Sequence, residues 1–213
     1  MTTTTNETPS RVRFRGWHEL SVAILLVLLL AIAGTLMPNF LQPRSQLLLS
    51  RHLWDFGLLA LGMTLIIITG GIDLSVGATM GLCAVVFGQT FAAIGNSAVA
   101  SLACLATGCV CGAWNGVLIS RAKVHPLIVT LASYAAFRGV AEGLSQGASY
   151  SRFGETFAHV SRATWLSLPL PGWIFAALAF SLTIFLIATP NGRYLYAIGH
   201  NERAARFAGI AVD

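Results

Sequence analysis

Residues 57–82 read GLLALGMTLIIITGGIDLSVGATMGL, two apolar runs that meet at Gly70 and Gly71 with one ionisable group, Asp73, among them. A water-soluble core has little room for so long an apolar stretch holding a single carboxylate, whereas a chain that crosses a bilayer has a use for both. Composition points the same way. The chain is 55% hydrophobic and 10% charged with a mean hydropathy of +0.73, against about a quarter charged in soluble domains. These values predict an all-α polytopic membrane protein.

The individual spans follow from length and hydropathy. Residues 20–37 form an uncharged apolar run close to the roughly 20 residues a helix needs to cross a bilayer. Basic residues before it and Ala31-Ile32-Ala33 within it imitate a cleavable signal peptide, but the run stays apolar to Met37, beyond a usual signal core, which favours a retained helix. Further spans are expected at 47–69, 76–94, 98–119, 126–143 and 172–189, giving six. The second is weakened at one end by Arg51, His52 and Asp55. Residues 1–16 are expected to be a disordered polar tail, 17–190 the transmembrane domain, and 191–213 a segment outside the membrane.

The chain has 13 Lys and Arg against 8 Asp and Glu, a net charge of +5. With a cytoplasmic N-terminus, the inner segments carry Arg11, Arg13, Arg15, Arg121, Lys123, Arg193, Arg203 and Arg206, and the outer ones Arg44, Arg51, Arg152 and Arg162. Eight against four satisfies the positive-inside rule, and Trp17, Trp54, Trp165, Trp173, Tyr194 and Tyr196 stand near span ends as an aromatic belt does. The basic excess is thus accounted for by span flanks and membrane lipid, without nucleic acid as a partner. There is no P-loop. Cys83, Cys104, Cys109 and Cys111 all fall in apolar segments with no metal-site spacing, so they read as small packing residues and no metal is expected.

Within the spans, Asp73 needs an explanation. A charge at the bilayer centre costs about 2.5 to 3.5 kcal/mol on insertion scales, so such a group faces a cavity, a partner or an interface. Either Asp73 or Ser75 caps the third helix by accepting its free N–H groups, or Asp73 lies on a solute pathway; the two are compatible. Gly-interrupted hydrophobic segments, here at Gly70 and Gly71, also mark binding sites in many secondary transporters. Gly77 and Gly81, then Gly108, Gly112 and Gly116, then Gly139, Gly143 and Gly147 keep a four-residue spacing and are expected to be helix-packing faces. Arg138 and Glu142 share a helix face and are expected to form an internal salt bridge, with contact to a polar solute as the other reading. Residues 144–171 form the longest polar connection, read as a loop. Asn201 is an expected N-cap, Glu202 and Arg206 an i,i+4 pair, and Gly209 a stop, which gives a short surface helix. No nucleophile with its base and no paired carboxylates are found, which argues against an enzyme.

Four stretches carry a resemblance. GMTLIIITGGIDLSVG resembles the signature of permease subunits of bacterial ABC importers for monosaccharides, the ribose-type family. GAWNG around Asn115, KVHPLIVTL from Lys123, and AIGHNERAARFAGIAV near the end resemble the same pattern, with His125 and His200 as departures from it. The resemblance implies a dimerising permease that receives sugar from a periplasmic binding protein and meets two ABC ATPase chains inside the cell, in the inner membrane. It adds Gly70, Gly71, Asp73, Ser75 and Asn115 as motif residues, which with Arg138 and Glu142, read from their spacing alone, are the pathway or motif candidates. It makes Asn201, Glu202, Arg203, Ala204, Ala205, Arg206 and Gly209 the ATPase-coupling helix. No cofactor of its own is implied, since ATP is bound by the partner. Family members continue past this point, so the chain is expected to be the first part of a permease. An ATP-independent channel or facilitator, or a nonfunctional fragment, are the alternatives.

Overall fold

The computed structural model describes residues 16–151, 153–166 and 168–212. The tail expected over 1–16 falls almost wholly outside them. The chain divides into two units, residues 1–49 and 50–213.

In the first unit, α1 (Gly16–Leu36) is apolar around its circumference, and residues 19–32 are all exposed, the pattern of a helix that meets lipid on all sides. Met37 N–H donates to the Ala33 carbonyl at 2.9 Å, and Leu41 folds back over Gly34, where a Cβ would lie only 2.9 Å from Leu41 Cδ1. Helix α2 (Pro43–Ile68) begins here and continues into the second unit. It starts four residues before the expected 47, because Pro43 occupies a first turn where a missing N–H costs little. Arg51, His52 and Asp55 lie inside it.

The second unit holds α3 (Val76–Ile94), α4 (Ser97–Ser120), α5 (Pro126–Ser145) and α7 (Leu170–Ala188). With α1 and α2 these make six helices long and apolar enough to cross a membrane among the described residues, as the sequence predicts. Helices satisfy their own backbone hydrogen bonds, which the hydrocarbon cannot do for them. Helix α3 packs against both α4 and α5. Leu82, Cys111 and Ala141 form the centre, with Val85, Val86 and Phe137 against them. On α5 the inward stripe Val129, Ser133, Phe137, Ala141 repeats every four residues, one face of a helix.

The connections are built by local chemistry. Gly95 takes the left-handed conformation (φ 71°) that ends α3, and Asn96 Oδ1 accepts from Ala98 N–H at 2.9 Å and Val99 N–H at 3.3 Å to start α4. His125, the apparent departure before Pro126, is the N-cap of α5: its Nδ1 accepts from Leu127 N–H at 3.3 Å.

Two expectations are corrected and a third is extended. The four-residue glycine repeats are not packing faces within this chain: apart from Gly108, against Cys83, a Cβ at any of them would meet nothing within 4 Å. The contacts between α3, α4 and α5 run through other faces, those of Leu82, Cys111 and Ser133. Second, the connection after α5 is not simply a loop. It contains α6 (Gly154–Arg162) and a short antiparallel ribbon, β1 (Thr164–Trp165) with β2 (Leu168–Pro169). Phe153 and Phe157 of this region stack with Phe87, and Phe153 also with Phe91, at centroid distances of 5.1 to 5.7 Å. Tyr150 lies over Gly88, where a Cβ would come within 2.5 Å of the ring. Third, an additional helix, α8 (Pro190–His200), precedes the expected surface helix, α9 (Glu202–Phe207). Thr189 Oγ1 caps α8 by accepting from Gly192 N–H at 3.1 Å, and Pro190 takes its first position.

Candidate functional site

Between α2 and α3 the chain runs through Gly70, whose φ of 81° is open to glycine and costly to other residues. Gly71 N–H donates to the Ile66 carbonyl at 2.9 Å, and the Thr69 hydroxyl donates to the same oxygen at 2.8 Å, so the break is tied to the last turn of α2. Asp73 follows, half-buried. Its Oδ1 accepts from both the N–H and the hydroxyl of Ser75, each at 2.7 Å.

The direction of the remaining bonds is then fixed. A carboxylate only accepts, so the Ser75 hydroxyl proton points at Asp73 and its lone pairs are left for a donor. Asn115 of α4 supplies it, with Nδ2 donating to Ser75 Oγ at 2.8 Å. The Asn115 carbonyl oxygen is then free to accept, and Ser133 Oγ of α5 donates to it at 2.6 Å. Ser75, Asn115 and Ser133 are 0%, 5% and 4% exposed. A single polar chain therefore runs from the helix break through α3 and α4 to α5, each link a hydrogen bond. It is anchored at one end by a negative charge. Asp73 Oδ2 takes no hydrogen bond from any described residue.

The capping expectation is corrected by this geometry for Ser75. Ser75 occupies the N-cap position of α3 but its side chain makes no cap bond. Asp73 instead accepts from Ser75 N–H, one of the four free N–H groups at the start of α3. The hydroxyl is committed to Asp73 and Asn115, and a side chain that bridges elements cannot also turn back on its own helix.

Thr130, 1% exposed, closes in on the other side, its hydroxyl 3.4 Å from the Ile72 carbonyl. Ser133 and Thr130 were not legible as site residues, since one hydroxyl in an apolar helix carries no pattern. Ser133 stands four residues from both Val129 and Phe137, which is a signal for it alone; Thr130 has no such placement.

Arg138 and Glu142 share no hydrogen bond with this chain. Arg138 Nε donates to Glu142 Oε1 at 2.9 Å, and Nη1 to the Tyr134 hydroxyl at 3.0 Å. The pair forms as expected but is not internal: the side chains are 60% and 67% exposed.

Helix α9 is short and well closed. Asn201 Oδ1 accepts from Ala204 N–H at 3.0 Å, and Arg206 pairs with Glu202 at 3.4 Å. Gly209 (φ 82°) donates to the Arg206 carbonyl at 3.1 Å, and Ile210 N–H to the Ala205 carbonyl at 3.0 Å, a Schellman ending. Ala205 is buried and Arg203 exposed. Six residues held at both ends and carried beyond the end of a membrane-length helix form a defined surface projection.

A family model described as branched-chain amino acid transport system / permease component matches residues 49–213. The chain belongs to this permease family. It is 34% identical over 201 residues to the autoinducer 2 import system permease protein LsrD of Enterobacter sp. (strain 638), covering 92% of this chain and 62% of that protein. To the ribose import permease protein RbsC of Escherichia coli (strain K12) it is 33% identical over 216 residues, covering 98% and 67%. The resemblance to ribose-type ABC importer permeases is thereby borne out. The chain spans about two thirds of the length of these relatives. No solved structure matches it.

Proposed function

We propose that this chain forms membrane-spanning sequence of an importer that moves a small hydroxyl-rich solute, such as a monosaccharide, inward across the bacterial inner membrane at the expense of ATP hydrolysed by a separate subunit. The observation that carries this reading is α9: a solvent-facing helix capped by Asn201 and closed by Gly209, beyond the end of α7. A path that merely conducts has no need of a rigid projection outside the bilayer. An ATPase cleft does, because force is transmitted only through a contact that holds its shape.

On this reading the N-terminus and α9 face the cytoplasm, and α6 with the β1–β2 ribbon faces the periplasm, where a solute-binding protein docks. A second permease subunit completes the path. Similarity to proteins named for ribose and autoinducer 2 import supports a polar, oxygen-rich solute. Asp73 Oδ2 and the Tyr134, Arg138, Glu142 group supply acceptors and donors of the kind hydroxyl groups need. A charged pair so exposed on a membrane-length helix is costly against acyl chains, which supports a water-filled or protein-covered face there. The chain does no chemistry on the solute, and it binds no cofactor of its own.

The test is co-purification with the ATPase subunit from membranes. Replacement of residues 201–209 by a Gly/Ser linker is expected to abolish it while leaving the permease in the membrane; retention of the ATPase would overturn the assignment. Asp73→Asn keeps a carbonyl acceptor for Ser75 and removes the charge. Solute uptake is expected to fall at unchanged membrane level, and unchanged uptake would remove the Asp73 charge from the path.

A further inference from the structure

Gly192 and Gly199 are seven residues apart on α8, about two helical turns, and so share one face. Neither has room for a side chain. A Cβ at Gly192 would come within 2.5 Å of Leu186 Cα, and one at Gly199 would fall on the carbonyl oxygen of Ile68 and lie 3.2 Å from Thr69 Cα. Helix α8 is thus set backbone against backbone at both ends, on α7 through Gly192 and on the last turn of α2 through Gly199. Helix backbones approach this closely only through small residues.

The second contact has a particular position. Ile68 is the last residue of α2, and only residues 69–72 separate it from Asp73. Those residues are bound to α2 by the Gly71 and Thr69 hydrogen bonds to Ile66, and a Cβ at Gly70 would lie 3.9 Å from the Gly199 carbonyl oxygen. A contact made of two backbones contains no rotamer that can turn to absorb a displacement.

We propose that Gly199 is a positioning residue, the joint through which movement of α8 and α9 reaches the helix break at 68–72 and, through it, the hydrogen-bonded chain of Asp73, Ser75, Asn115 and Ser133. That the movement is driven by ATP rests on the function proposed above; the joint itself does not.

The experiment uses the full permease with Cys83, Cys104, Cys109 and Cys111 replaced by alanine and Ile72→Cys as an exposed reporter of the break. Gly199→Ala is expected to change the alkylation rate at Ile72→Cys by roughly two- to thirtyfold, the range by which residues on a coupling route act, while an exposed reporter at Leu102→Cys, at the end of α4 far from Asn115, keeps its rate. The exposed neighbour substitution His200→Ala is expected to leave both rates alone. An unchanged rate at Ile72→Cys in the Gly199→Ala protein overturns the joint.

A second measurement leaves the joint unfilled. A short bismaleimide is expected to link Thr69→Cys to His200→Cys, and failure to link them overturns the proposal even where Gly199→Ala does not fold. With the ATPase bound, nucleotide is expected to change the Ile72→Cys rate in the Gly199 protein and not in Gly199→Ala, both retaining the ATPase. An ATPase that binds neither protein removes the functional reading, and the first two measurements still decide the joint.

Discussion

Ser75 uses all of its polar groups without exposing any. Its N–H and hydroxyl proton go to Asp73, and its lone pair goes to Asn115, which leaves Ser133 as donor to the amide oxygen. Asn115 hydrogen-bonds both serines, so its loss acts on two elements at once. Asn115→Leu is close in volume but leaves two buried hydroxyls short of a partner, at about 1 to 3 kcal/mol for an unsatisfied group. Thermal unfolding in detergent is expected to show a stability loss of that order. Adding Ser133→Ala to Asn115→Leu removes one of the stranded groups, so the double variant is expected to be no less stable than Asn115→Leu alone. Additive losses would mean that Ser133 has another partner.

At the scale of elements, α9 shows how a six-residue helix can be held without a large core. Isolated helices this short do not persist in water, so its ends must supply what its length does not. Gly209 at φ 82° gives the ending, and a residue with a Cβ in that conformation costs about 1 to 2 kcal/mol. Gly209→Val is therefore expected to fray α9 and to speed tryptic cleavage after Arg203 and Arg206, while Gly209→Asn, tolerated in the left-handed region, has the smaller effect. The caps of α9 were legible because Asn201, the Glu202 and Arg206 pair and Gly209 stand in order along the sequence. The long spans were legible for a different reason, since hydropathy summed over about 20 residues needs no knowledge of neighbours. Helix α8 is not legible in the sequence, because Thr189-Pro190-Asn191-Gly192 has the residues of a turn, whereas Thr189 caps a helix and Pro190 opens it. Helix α6 was hidden in a polar stretch, although Phe153, Phe157 and Val160 have helical spacing. The polar chain was half legible: Asp73, Ser75 and Asn115 stood out as polar residues in apolar surroundings, but their meeting, and the recruitment of Ser133, depend on how α3, α4 and α5 pack. Likewise the open glycine repeats show that a spacing identifies a small face without saying what lies against it.

For the whole molecule, the orientation in the bilayer decides whether the proposed parts face the right compartments. Helix α5 separates residues 121–125 from residues 146–151, and α7 brings the chain back, so α8 and α9 emerge on the side of residues 121–125. Arg121, Lys123, Arg193, Arg203 and Arg206 all belong to that side, and basic residues near short spans are retained in the cytoplasm. ATP is available only there. Single cysteines at the two ends of α5, in the background without the four native thiols, test this directly. Ala148→Cys is expected to react with a membrane-impermeant maleimide in cells whose outer membrane has been opened. Lys123→Cys is expected to stay unlabelled until the inner membrane is opened as well. The reverse pattern would place α9 in the periplasm, away from ATP, and would exclude it as the ATPase contact whatever its caps and its junction with α8.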